Sequence, residues 1–102
     1  MKSDQQSEIL HRLHCAAGHL NAVIEMTEAQ QACEQVLHQL HAVQAALHTA
    51  GVKMIHGQAQ SSQEVILNSS SVSQRIEELE RLQSLYAIYL KYSIHRNEVN
   101  YE

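Results

Sequence analysis

The chain has 102 residues, room for one ordinary domain, and 44% of them are hydrophobic, enough for a core. With no Phe, no Trp and four Tyr that core is aliphatic, and with no Pro and three Gly the chain is nearly free of helix breakers. A formal charge of −4 excludes a general attraction to phosphate backbones, although eight histidines make the balance depend on pH.

The opening MKSDQQSEIL has no apolar run after a basic start, and no stretch approaches the ~18 apolar residues of a membrane span. The expectation is a cytoplasmic protein made of a single domain, residues 1–102, with Cys15 and Cys33 as reduced thiols. The first element is expected over about residues 4–29. Ile9, Leu10, Leu13, Ala16, Ala17, Leu20, Val23 and Ile24 recur in steps of three and four, which marks one face of a helix. Ser3 or Asp4 can cap it, and Glu8 lies in or near the first turn.

A second helix is expected over about 31–60, with Cys33, Val36, Leu37, Leu40, Val43, Leu47, Ala50, Met54 and Ile55 in the same period. Gly51 interrupts this pattern without ending it. The short link near Ala29–Ala32 predicts an antiparallel helical hairpin. Residues 61–71, SSQEVILNSSS, read as a break, and Ser71 followed by Gln74 reads as a capping box. A third helix over about 71–92 then turns Val72, Ile76, Leu79, Leu82, Leu85, Tyr86, Tyr89 and Leu90 inward, with a frayed tail from Ser93. Helices of this length are ~40 Å long. One hairpin and a shorter third helix cannot cover two such apolar stripes, whereas two hairpins forming a four-helix bundle can. An all-α, three-helix chain that is at least a dimer is the expected architecture.

The stretch HRLHCAAGHL at 11–20 is the densest in chemically active side chains. His11, Cys15 and His19 are spaced i, i+4, i+8 and form one line, placed roughly opposite the apolar stripe, with His14 beside it. Donors of this softness suit zinc, copper or nickel, while a polar face with histidine as neutral filler accounts for the same spacing. His38, His41 and His48 flank the second stripe and read as a polar face. Cys33 is in phase with the core, where a free thiol packs as a small hydrophobe. Its place in the first turn of helix two is the contrary argument, since a helix N-terminus favours thiolate. Cys15 and Cys33 cannot bridge within a hairpin, being separated by ~15 Å or more along it. No phosphate loop, nucleophile elbow or H-E-x-x-H is present, which argues against an enzyme. Glu77, Glu78 and Glu80 read as solvated charge, and Tyr86, Tyr89 and Tyr92 as packing or interface.

Taken in order, Arg12-Leu13, Ala17-Gly18-His19-Leu20, Val23-Ile24-Glu25-Met26, Cys33, VLHQLHAVQAAL at 36–47 and MIHG at 54–57 resemble the CsoR/RcnR-type metal-sensing transcriptional repressors. The resemblance covers about residues 8–62. It implies a dimeric antiparallel four-helix bundle, usually paired into a tetramer, that binds operator DNA and releases it on binding copper or nickel or cobalt ions, or in some branches on thiol or aldehyde chemistry. It implies Cys33 as the first metal ligand. The other two ligand places, a His and a Cys on the neighbouring subunit's second helix, fall on Gln58 and Ser62.

An amide and a hydroxyl prefer hard cations, so the expected consequence is a degenerate soft-metal site. Cys33, with His14 or Cys15 or His11, is then the candidate metal or effector group. On the DNA face the family's R-L-R-R falls on Arg12, Leu13, His14 and Cys15, a further Arg on His48 and a basic position on Asn21. Residues 1–60 carry Lys2, Arg12 and Lys53 against Asp4, Glu8, Glu25, Glu28 and Glu34, a net −2. DNA affinity rests on phosphate neutralisation, so this face is weakened. Two functions follow as expectations: a DNA-binding repressor with altered effector response, or a structural or interaction protein on the same bundle that binds neither DNA nor metal.

Overall fold

In the computed structural model the backbone is described for residues 3–101 and the side chains for residues 3–91. The chain is all-helical over the described residues, with α1 at Ser3–Glu28, α2 at Cys33–Asn68 and α3 at Val72–Tyr101. Residues 1–54 and 55–102 form two compact units.

The first unit is the antiparallel hairpin of α1 and the first half of α2. Its direction is fixed by two side-chain links. Glu8 near the start of α1 meets Lys53, and His19 further along meets Gln39, so one helix ascends as the other descends. The turn between them is a left-handed helix stop. Gln30 has φ 55°, Gln31 N–H donates to Met26 O at 3.0 Å, and Gln30 N–H donates to Thr27 O at 3.1 Å. This is a Schellman arrangement with glutamine in the place that glycine fills most cheaply. Ala32 then opens α2, its carbonyl accepting from Gln35 and Val36. Alanine has no side-chain oxygen to cap the free N–H groups there.

Burial inside this unit is narrower than the apolar stripe. Ile9, Ala16 and Val23 are buried on α1, and Val43 and Ala50 on α2, both sets at seven-residue spacing. Leu13, Val36 and Leu40 are half-buried. Leu10 (47% exposed), Leu20 (43%), Ile24 (48%), Leu37 (56%) and Leu47 (45%) are exposed in the single chain, the part of the two stripes that one hairpin was expected to leave uncovered. A single hairpin closes only the seam where its two helices touch, and the flanking apolar positions face away from it.

In the second unit, α2 continues to Asn68, so residues 61–68 are helix and not a break. Two features let this serine-rich stretch stay helical. Ser61 Oγ donates back to Gly57 O at 3.2 Å, and Ser62 is fully buried with its hydroxyl accepting from Gln58 Nε2 at 3.3 Å. The break is confined to Ser69–Ser71. Ser71 caps α3, its Oγ accepting from Gln74 N–H at 3.2 Å. The return half of the expected box runs through Ser69, which accepts from Ser71 N–H at 3.1 Å and donates to Gln74 Oε1 at 2.7 Å. α3 is helical through Tyr101, past the end expected near Tyr92. Leu82, Leu85 and Tyr89 are half-buried, while Val72, Ile76, Leu79, Tyr86 and Leu90 are exposed. The Tyr92 side chain lies outside the described residues, as does Lys2.

Candidate functional site

The candidate face lies along α1 where it meets α2. Helical spacing lines up Glu8, His11, Arg12, Cys15 and His19, and these with Ala42 and Ala46 of α2 border a cavity of about 400 Å³. It is an open surface groove, since Glu8, His11, Cys15, His19 and Ala42 are all exposed. The His11, Cys15, His19 line therefore flanks the hairpin seam and does not lie opposite it, although all three residues are exposed.

Each group on this face has a defined partner. Cys15 Sγ lies 3.7 Å from His11 Nε2. Gln39 Nε2 donates to His19 Nδ1 at 2.9 Å, which ties that ring to α2. Glu8 Oε1 is shared by Arg12 Nη2 at 3.3 Å and Lys53 Nζ at 3.2 Å. The Lys53 ammonium first, and Arg12 second, hold the Glu8 carboxyl below the usual carboxylate range. Arg12 Nε is shielded from water with no hydrogen-bond partner. The two basic residues described in the first unit thus both spend their charge on one carboxylate.

The other expected site residues are more dispersed. His14 is exposed and stands beside the cavity, not in it. His48 is half-buried and engaged, while His38 and His41 are exposed. Cys33 is exposed at the start of α2, which corrects its expected packing in the core. Both cysteines are free thiols. In the second unit Gln58 and Ser62 are bonded to each other, one turn apart on α2. Among the described residues no three His, Cys, Asp or Glu side chains converge as a metal cluster. Sequence reasoning missed Glu8 and Lys53 as members of the face. An acidic residue four before Arg12 was the available signal for half of that network, but Lys53 is brought in only by the register of the hairpin.

The described residues thus form an all-α chain with a helical hairpin, a thiol opening its second helix, and arginine, histidine and cysteine side chains along its first. Residues 5–85 match the family described as metal-sensitive transcriptional repressor. The chain belongs to that family. It is 41% identical over 54 residues to the copper-sensing transcriptional repressor CsoR of Mycobacterium ulcerans (strain Agy99), a match covering 53% of this chain and 46% of that protein. The chain thus spans about half the length of this curated relative. No solved structure matches it. No helix among the described residues is long and apolar enough to cross a membrane.

Proposed function

We propose that this protein is a transcriptional regulator acting as one helical domain, whose inherited soft-metal pocket has lost its donors and whose DNA face is weakened and pH-dependent. The observation that carries the first part is the Gln58–Ser62 pair. At the positions where the family resemblance implies an imidazole and a thiolate, this chain has an amide bonded to a fully buried hydroxyl. Neutral oxygen and amide donors do not suit Cu(I), and one thiolate at Cys33 does not make a three-coordinate site. The residues present therefore do not fit a copper ion in the family's manner, and the effector chemistry moves to the thiols Cys33 and Cys15 and the histidines beside them.

DNA recognition falls to the α1 face, with Arg12, His14 and Cys15, and to His48 on α2. Phosphate neutralisation would require Arg12 and Lys53 to leave Glu8, and the chain's eight histidines are its reserve of positive charge in acid solution. The unsatisfied apolar residues Leu10, Leu20, Ile24, Leu37 and Leu47 support pairing of two hairpins into a four-helix bundle and of dimers into a tetramer. The same shortage of free cations favours a second reading, a bundle protein that serves interaction or structure and binds neither DNA nor metal. Fluorescence anisotropy with the DNA upstream of its own gene, across salt concentrations at about pH 6 and pH 8, separates the two. The regulator reading expects tighter binding and a steeper salt dependence at the lower pH; absence of binding at both pH values refutes it in favour of the second.

A further inference from the structure

A pair of soft donors distinct from the Cys33 position lies on α1. His11 Nε2 and Cys15 Sγ stand 3.7 Å apart on one helix face, at the mouth of the cavity lined by Ala42 and Ala46. A tetrahedral zinc-class ion has metal–nitrogen bonds of about 2.0–2.1 Å and metal–sulfur bonds of about 2.3 Å, so its nitrogen and sulfur ligands sit about 3.6 Å apart. The two side chains therefore already hold close to the spacing of one edge of such a site.

We propose that His11 and Cys15 form a two-donor clasp for a borderline divalent cation of the zinc class, with water completing its shell from the cavity side. An imidazole nitrogen and a thiolate are the donors such ions prefer, and an i, i+4 pair on a helix needs no chain rearrangement to present them. Binding replaces the thiol proton with the ion, and that proton is released to solvent. The flanking charges are already gathered on Glu8: Arg12 and Lys53 sit on its carboxylate, so the trio presents one net positive charge and not two free cations. His19 lines the same cavity with its Nδ1 held by Gln39, and among the described residues no third donor converges with the pair, so the clasp is assigned to His11 and Cys15 alone.

The clasp rests on the proposed move of effector chemistry to Cys15 and shares the α1 face with Arg12 and His14, and its test reads the ion alone, with no DNA present. Reduced protein is titrated with Co(II) as the spectroscopic probe, then with Zn(II) in competition, alongside Cys15→Ser, Cys33→Ser, His11→Ala and His19→Ala, with circular dichroism confirming helix content. The wild type should take one ion per chain with a thiolate-to-cobalt charge-transfer band. That band should vanish in Cys15→Ser and persist in Cys33→Ser. Affinity should fall about tenfold or more in His11→Ala and hold in His19→Ala. A band that survives Cys15→Ser, one that is lost with Cys33→Ser, or no band at all overturns the proposal.

Discussion

The turn between α1 and α2 makes a quantitative prediction, because it asks a glutamine to do what glycine does without strain. Gln30 has φ 55°, where the Cβ of an L-residue crowds the backbone at a cost of roughly 1–2 kcal/mol. Two turn bonds, Gln31 N–H to Met26 O and Gln30 N–H to Thr27 O, keep it there, at 3.0 and 3.1 Å. Replacing Gln30 with glycine removes that cost but gives the unfolded chain more freedom, which returns about 0.5–1 kcal/mol. The net expectation for Gln30→Gly is a gain of about 0.5–1 kcal/mol. At about 2.1 cal/mol/K of unfolding entropy per residue, a chain of 102 residues gains about 2–5 °C in Tm. The assay is thermal unfolding by circular dichroism at fixed protein concentration, since association would make Tm concentration-dependent. Gln30→Ala keeps the Cβ and should show none of the glycine gain. Equal Tm for the glycine and alanine variants would refute the strain argument.

Four further outcomes follow from the same reasoning. Ala32→Asp supplies the missing cap oxygen at the start of α2 and should stabilise by about 0.5–2 kcal/mol in urea denaturation. Gly18→Ala adds a methyl where nothing lies within 4 Å, so the helix-propensity gain of up to about 1 kcal/mol should appear undiminished in the same assay. Glu8 has its carboxyl lowered by Lys53 and Arg12, so its contribution to stability is present at neutral pH and is lost as pH falls below the usual carboxylate range. Glu8→Gln should accordingly flatten the acid limb of a Tm-against-pH curve, and added salt should shrink the difference from wild type. The same substitution frees Arg12 and Lys53, so it should tighten DNA binding and steepen its salt dependence, read by anisotropy.

The helical class, the hairpin and its turn were legible because apolar steps of three and four and a short polar link leave few alternatives. The extent of α2 was not. SSQEVILN has the composition of a loop, and it is helical because Ser61 folds its hydroxyl back on Gly57 and Ser62 packs away from water against Gln58. Periodicity also identified which residues are apolar on one side of each helix, but not which half of that side one chain can cover. Ile9, Ala16 and Val23 are buried while Leu10, Leu20 and Ile24 are not. The α1 face was found from residue types alone, whereas its electrostatics depend on Lys53, forty-five residues from Glu8 in sequence and 3.2 Å from it in space. Cys33 was placed in the core by phase, yet it lies at the end of the hairpin, where no neighbouring turn of helix covers it.

On the proposed reading, a family scaffold keeps Cys33 and has exchanged its two soft-metal partners for Gln58 and Ser62. The most direct test of that reading is Cu(I) titration of the reduced protein against a competing chelator, comparing the wild type with the double variant Gln58→His and Ser62→Cys, each with and without Cys33→Ala. The wild type should show no Cu(I) binding that depends on Cys33, and the double variant should gain one tightly held ion per chain that Cys33→Ala abolishes. Tight Cys33-dependent copper binding by the wild type, or no gain in a double variant that remains folded, would contradict it.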